Sequence, residues 1–454
     1  MHDMNRRTFL AASAAAGAGL FFFPMRAFAA LRPNAADDPH FFLQIVLQQG
    51  ADPTYLYDAR PKAMTAANLI QNYNTADSLL YTGSNGGTCL LPESSKALRP
   101  FLDRFTILNG VIMNPTFDGH TQNMNFYFTG SPTGGASFLP NVTEAWGFPL
   151  DGVQNGSLFA DVSNHGHVVP LDPATATLLR TKLNGNTPIA PGSELHDFLS
   201  TRYGAIAGGT GRVSTGAKMM LDGFRAAPTL RDRLLDLETP DPNHKAEEQF
   251  VALLGSVFRH RVAGTALWTM VDAFDTHGAD QAKNQPKLFT DVTERLALIF
   301  RTMMNTPFDA TRSLLDVTTV VVNSEFSRTM RQLERPIDDT GTDHNQFNNS
   351  FLVGGKGIKG GQVIGASDMA TAEEKPSDVH KNFDPKGLKL MGRAFDYSTQ
   401  RPTDSPSTFD PQKYLTSDSV VNTIYSLFSV SRGHFRTTDR DGKLAAPVIG
   451  ALLS

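Results

Sequence analysis

The sequence predicts an α/β fold in which a mostly parallel sheet is covered by helices. Two observations carry this expectation. Short runs of mainly apolar or β-branched residues, Phe41 to Leu47, Ala266 to Phe274 and Val317 to Val322, have the length and content of strands buried on both faces. Residues 245–262 and 286–304 instead repeat apolar side chains at helical spacing, as in Leu288, Val292, Leu296, Ile299 and Met303 with charges between them. Helix, strand, helix and strand thus alternate, the order expected of parallel strands joined by crossover helices.

The chain opens with Asn5-Arg6-Arg7-Thr8-Phe9-Leu10, continues through an Ala-, Gly- and Phe-rich stretch to Phe23, and reaches Ala27-Phe28-Ala29. Paired arginines, a moderate apolar region and an A-x-A exit predict a twin-arginine signal peptide over residues 1–29. The apolar stretch is too short, and too rich in Ala and Gly, for a spanning helix. Cleavage after Ala29 removes 29 of 454 residues and leaves 425. The sequence therefore predicts delivery by the twin-arginine translocation machinery to the periplasm or exterior, with no stable membrane insertion after cleavage.

Residues 30–454 read as one α/β domain, entered through a polar linker at 30–39. The strand 41–47 ends in the turn Gln48-Gln49-Gly50-Ala51-Asp52-Pro53. A second short strand is predicted from Phe105 to Val111. Helices are predicted around 194–203 and 216–238, ahead of the alternating region. Residues 366–415, rich in Asp, Ser, Thr, Pro and Lys, read as an irregular surface excursion, and Ser417 to Val430 as the last helix.

Composition narrows the chemistry. Cys89 is the only cysteine, so an intramolecular disulfide and a four-cysteine zinc site are both excluded. Any metal must be held by Asp, Glu, His, Asn or backbone oxygen. The formal charge is −4, and the leader holds three arginines against one aspartate, so the mature chain stands at −6. That mild acidity offers no footprint for nucleic acid or anionic lipid.

Three motifs carry candidate chemistry: Asp275-Thr276-His277, Ser324-Glu325-Phe326-Ser327-Arg328 and Thr342-Asp343-His344. The first two follow predicted strands, at the carboxyl ends where open α/β sheets build their sites. If strand geometry continues, Asp275 and His277 point to one side and can share an ion. Equally, Asp275 can cap a turn and His277 can be a surface residue. Glu325 leaves a buried strand and needs an ion or a partner, and Arg328 is close enough in sequence to be that partner. Asp343 and His344 lie in a polar loop, where solvation alone is also a reading. His165-Gly166-His167 has ligand spacing but stands apart. Asp118-Gly119-His120-Thr121 places a carboxylate, an imidazole and a hydroxyl before an aromatic helix, a set suited to acid–base work. Gly355-Lys356-Gly357-Ile358-Lys359-Gly360 matches the dinucleotide fingerprint in spacing only. The residues that follow read as strand or turn where a helix is required, so a tight turn between two strands is expected.

The order of these motifs, followed by Val353 to Gly365, preceded by Gly50-Ala51-Asp52 and closed by Pro447-Val448-Ile449, resembles the twin-arginine-exported domain-of-unknown-function family 1501. The resemblance covers nearly the whole mature chain. It implies a three-layer, sulfatase-like fold of the alkaline phosphatase superfamily, whose members hydrolyse phosphate or sulfate esters at one- or two-metal sites. Carried over by position, it makes Asp52 the acid after the first strand, Asp275 and His277 a metal pair, Glu325 an acidic ligand and His344 a late histidine ligand. It also implies a divalent ion such as zinc, calcium or manganese, and an anionic ester as substrate. His120, with Thr121 beside it, stands where superfamily enzymes usually start a helix with a nucleophile. Phe326 replaces their usual histidine, and Tyr55 replaces a second acid found in some relatives. The resemblance thus implies a metal-dependent hydrolase in which His120 or Thr121 handles protons or substrate and Arg328 clamps an anionic oxygen. The competing expectation is a non-catalytic exported protein that keeps the fold for binding or assembly.

Overall fold

The computed structural model describes residues 38–60, 78–113, 119–142, 146, 148–158, 168–172, 174–177, 194–208, 230–329, 341–369, 390–404, 411–430 and 446–454. The predicted leader, His165-Gly166-His167, Asp118 and the first part of the helix expected at 216–238 lie outside these residues.

The centre is an eight-stranded sheet made of β1 (Phe41–Gln48), β2 (Phe105–Asn109), β3 (Gly152–Asn155), β4 (Val168–Pro170), β5 (Thr265–Val271), β6 (Thr318–Asn323), β7 (Ser350–Gly355) and β8 (Val363–Ile364). Their spatial order is β8-β2-β7-β6-β1-β5-β3-β4. The pairs β1–β5, β1–β6, β3–β5, β3–β4 and β2–β8 are parallel. Strand β7 alone runs the other way, antiparallel to both β2 and β6. The sheet is therefore mostly parallel, as the alternating sequence pattern predicts.

All eight residues of β1 are buried, which explains its unbroken apolar run. Its side chains divide between two cores. Phe41, Leu43, Ile45 and Leu47 join Phe250, Leu254 and Val257 of α2 (Ala246–Arg259) and Val292, Leu296 and Ile299 of α3 (Gln285–Asn305). Phe42 and Val46 face Met124, Tyr127 and Phe128 of α1 (His120–Thr129) and Val420, Val421 and Ile424 of α4 (Ser417–Leu427). Helices thus cover both faces and make three layers. Among the described residues no helix is long and apolar enough to cross a membrane.

One sequence expectation changes. The strand predicted over 266–274 stops at Val271, because Asp272 pairs with Arg295 and Phe274 turns into the core. The glycine-rich run from 355 makes the expected tight turn after β7 on the way to β8, with positive φ at Gly355 and Gly357. Strand β2 lies between β7 and β8, so the connection crosses the sheet end instead of closing a hairpin.

Candidate metal centre

The carboxyl ends of β1, β5 and β6 meet at one edge of the sheet, and the first turn of α1 is aimed at the same place. Between β6 and β7 the chain forms a small ribbon in which Ser327–Arg328 pairs antiparallel with His344–Asn345, setting His344 opposite Arg328. A second tie holds the ribbon to the loop after β5. Thr342 N donates to Thr276 O at 2.8 Å, and the two threonine hydroxyls lie 2.7 Å apart. At Gly341 any side chain would strike the His277 carbonyl, so this close approach requires glycine.

These ties gather His120, Asp275, His277 and His344, whose donor atoms all lie within 4.8 Å of one another. His277 Nε2 is 3.1 Å from Asp275 Oδ1 and 3.1 Å from His344 Nε2, and His120 Nε2 is 3.6 Å from Asp275 Oδ1. Donors about 2.0–2.1 Å from one ion stand roughly 3.3 Å apart at the corners of a tetrahedron. The measured separations straddle that value. Three imidazoles with one carboxylate suit a borderline transition ion such as zinc, whereas calcium takes six to eight oxygens.

Two of the imidazoles have a carboxylate behind them. His120 Nδ1 lies 2.7 Å from Glu325 Oε1, and His277 Nδ1 lies 3.7 Å from Asp343 Oδ1. A proton on His120 Nδ1 facing Glu325 leaves its Nε2 lone pair toward the cluster, whereas Asp343 stands beyond hydrogen-bond reach of His277. Glu325 is itself buried and fixed, accepting from Gln49 N at 2.8 Å and from Ser324 Oγ at 3.0 Å. Phe326 packs its ring 4.6 Å from that of His120 and 4.5 Å from that of His344, which limits their rotation.

Electrostatics favour the ligating protonation states. Burial, then the positive charge of Arg328 and the neighbouring imidazoles, pull His344 down to about 4, so it is neutral at pH 7. Burial pushes Asp275 upward, but the hydrogen bond and charge of Arg328, with His277 and His120, outweigh it and keep the carboxyl below its ordinary range.

The remaining predicted residues take other places. Asp52 is buried outside the four-donor set and caps the turn Pro53–Tyr55, accepting from Thr54 N at 2.9 Å and Thr54 Oγ1 at 2.7 Å. Burial raises it to about 6. Glu325 stands behind His120 and is absent from the four-donor set. Arg328 pairs with Asp275, not with the nearby Glu325, and its side chain is fully buried. Thr121 is exposed on α1 and joins none of these contacts. Sequence reasoning gave His120 a proton-handling role and missed it as a fourth donor. It also missed the backing roles of Glu325 and Asp343, and no spacing rule signals any of the three.

A family model described as "Protein of unknown function (DUF1501)" matches residues 126–417. The chain belongs to this family. The DUF1501 match includes Asp275, His277, Glu325, Arg328 and His344, while His120 lies just ahead of it. Comparison with curated proteins gives no match. Two solved structures are similar in outline. The lipoteichoic acid synthase LtaP from Listeria monocytogenes is 9% identical over 74% of this chain and 72% of its own, with a TM-score of 0.31. The PH0037 protein from Pyrococcus horikoshii is 8% identical over 87% of this chain and 98% of its own, also with a TM-score of 0.31. At these scores neither likeness bears on the chemistry of this DUF1501 chain.

Proposed function

We propose that this chain is an exported, periplasmic or extracellular metalloprotein that hydrolyses a phosphate or sulfate ester, with a sulfatase-like version of the α/β fold. The observation that carries the metal assignment is the gathering of His120, Asp275, His277 and His344 donors within 4.8 Å of one another, with the His120 imidazole backed by Glu325. When bound, a zinc-like ion supplies Lewis-acid polarisation of an ester oxygen and acidifies water. Glu325 holds the His120 ring with Nε2 toward the site. Asp343 lies 3.7 Å behind His277 as a nearby negative charge, and Phe326 keeps the His120 and His344 rings from turning. His120 and His277 are partly exposed, so the cluster opens to solvent and to a substrate. Asp275 and Arg328 cancel in charge, and the three imidazoles are neutral ligands. Arg328 thus offsets the ligating carboxylate, leaving the ion's charge to be moderated by Glu325 and Asp343 behind the imidazoles.

The test is metal analysis of the protein purified from the periplasm, followed by assays on aryl phosphate and aryl sulfate esters. Near-stoichiometric zinc in the wild type, lost in Asp275→Ala and His277→Ala, together with ester cleavage, is the expected result. Absence of metal, with unchanged melting of both variants, refutes it.

One observation favours a non-catalytic binding or assembly role. Among the described residues no Ser, Thr or Cys side chain joins the four donors, and His120 occupies the helix start where a nucleophile is expected. Metal binding without turnover of any ester would select this second reading.

A further inference from the structure

The guanidinium of Arg328 reaches into the donor set itself. Its Nη2 donates to Asp275 Oδ1, and its Nη1 lies 3.3 Å from His277 Nε2. These are two of the four atoms the tetrahedron requires. On the other side, Nε donates to Gly50 O at 3.1 Å and Nη2 to Gln49 O at 2.8 Å. The side chain is fully buried and stacked along Phe326, with its central carbon 5.8 Å from the ring centre. A guanidinium remains charged in proteins and has five N–H groups to satisfy. Anchored to two carbonyls, it cannot carry that charge out to solvent.

We infer that Arg328 is a competitor built into the metal centre, setting how tightly it binds a divalent cation. The inference rests on the metal-binding reading above. For Asp275 Oδ1 and His277 Nε2 to ligate, Arg328 must give up both while its positive charge stays within a few ångströms. Two like charges at that range oppose each other, the more so because the guanidinium is itself buried. An ion forming strong bonds to imidazole nitrogen, such as zinc, can offset this opposition, at a cost in affinity. Arg328 has no exposed face toward a substrate, so its effect is on the ligands.

Isothermal titration of zinc and of calcium into chelator-stripped, full-length wild type and Arg328→Gln tests this, with circular dichroism to confirm folding. Glutamine keeps a donor for the Gln49 or Gly50 carbonyl but removes the charge. The expected result is zinc affinity about ten-fold or more above wild type, with calcium, for which three imidazoles are poor ligands, binding neither protein. Should Arg328→Gln fail to fold, Arg328→Lys carries the test. Lysine cannot hold Asp275, His277 and both carbonyls at once, and a gain of about three-fold in zinc affinity is expected. A folded variant that binds zinc no better than wild type overturns the competitor role while leaving the metal centre standing. If neither wild type nor variant binds zinc, both fall together. His277→Ala, which must lose binding in either background, separates the designed centre from adventitious sites.

Discussion

His120 Nδ1 lies 2.7 Å from the buried carboxylate of Glu325, a residue 205 positions further along the chain. This contact decides which imidazole nitrogen faces the cluster. It also explains why an acid can leave β6 into a buried position, since Gln49 N, Ser324 Oγ and His120 together satisfy its oxygens.

Glu325→Gln keeps the shape but loses the charge that fixes the His120 tautomer. Zinc affinity by isothermal titration is expected to fall about 10–100-fold. A change smaller than about three-fold would mean that Glu325 only fills space.

Thr121→Ala is the matching control, because Thr121 is exposed and outside the cluster. Its zinc affinity should stay within about two-fold of wild type. A larger loss would place the hydroxyl in the site after all.

Gly50 has φ +77°, and any β-carbon there would collide with the Phe326 ring. Its carbonyl also anchors Arg328. Gly50→Ala is therefore expected to lower unfolding free energy by about 1–3 kcal/mol in urea titrations. An unchanged midpoint would show that the turn relaxes freely.

Asp52 and His344 should tilt the pH–stability curve in opposite directions. Asp52 is raised to about 6, so the native state holds its proton longer than the unfolded chain. Its contribution is fully present below about pH 4 and is lost as pH rises to about 6. Asp52→Asn should then be more stable than wild type above pH 6, by about 2–3 kcal/mol at most, and equal to it near pH 3. His344 is lowered to about 4, so its contribution is present above about pH 6.5 and is lost as pH falls toward 4. His344→Gln should remove that loss. Chemical denaturation of both variants between pH 3.5 and 7.5, without metal, is the check, and slopes of the same sign would refute the assignment.

Much of the sheet was legible because a central parallel strand is apolar on both faces. β1, β5 and β6 could be read from their side chains alone. Strands β3 and β4 could not, since Gly152-Val153-Gln154-Asn155 and Val168-Val169-Pro170 are too short to show a period. The reversed β7 was hidden by its Gly354-Gly355 ending. In the site, Asp275, His277 and His344 stood out as acid and imidazole near strand ends. The reason given for Asp275 and His277, strand alternation, does not apply, because β5 ends at Val271 and a loop tied to Thr342 brings them together. The contacts of Glu325 with His120 and of Arg328 with Asp275 are products of folding that adjacent residues cannot announce.

Arg328 is held by carbonyls 278 and 279 residues earlier, and its ribbon partner His344 arrives only with the segment that leads into β7. A nascent chain emerging from the ribosome therefore lacks a finished ligand set until most of its length has been made. Ion capture would come at the end of assembly and would mark a completed molecule.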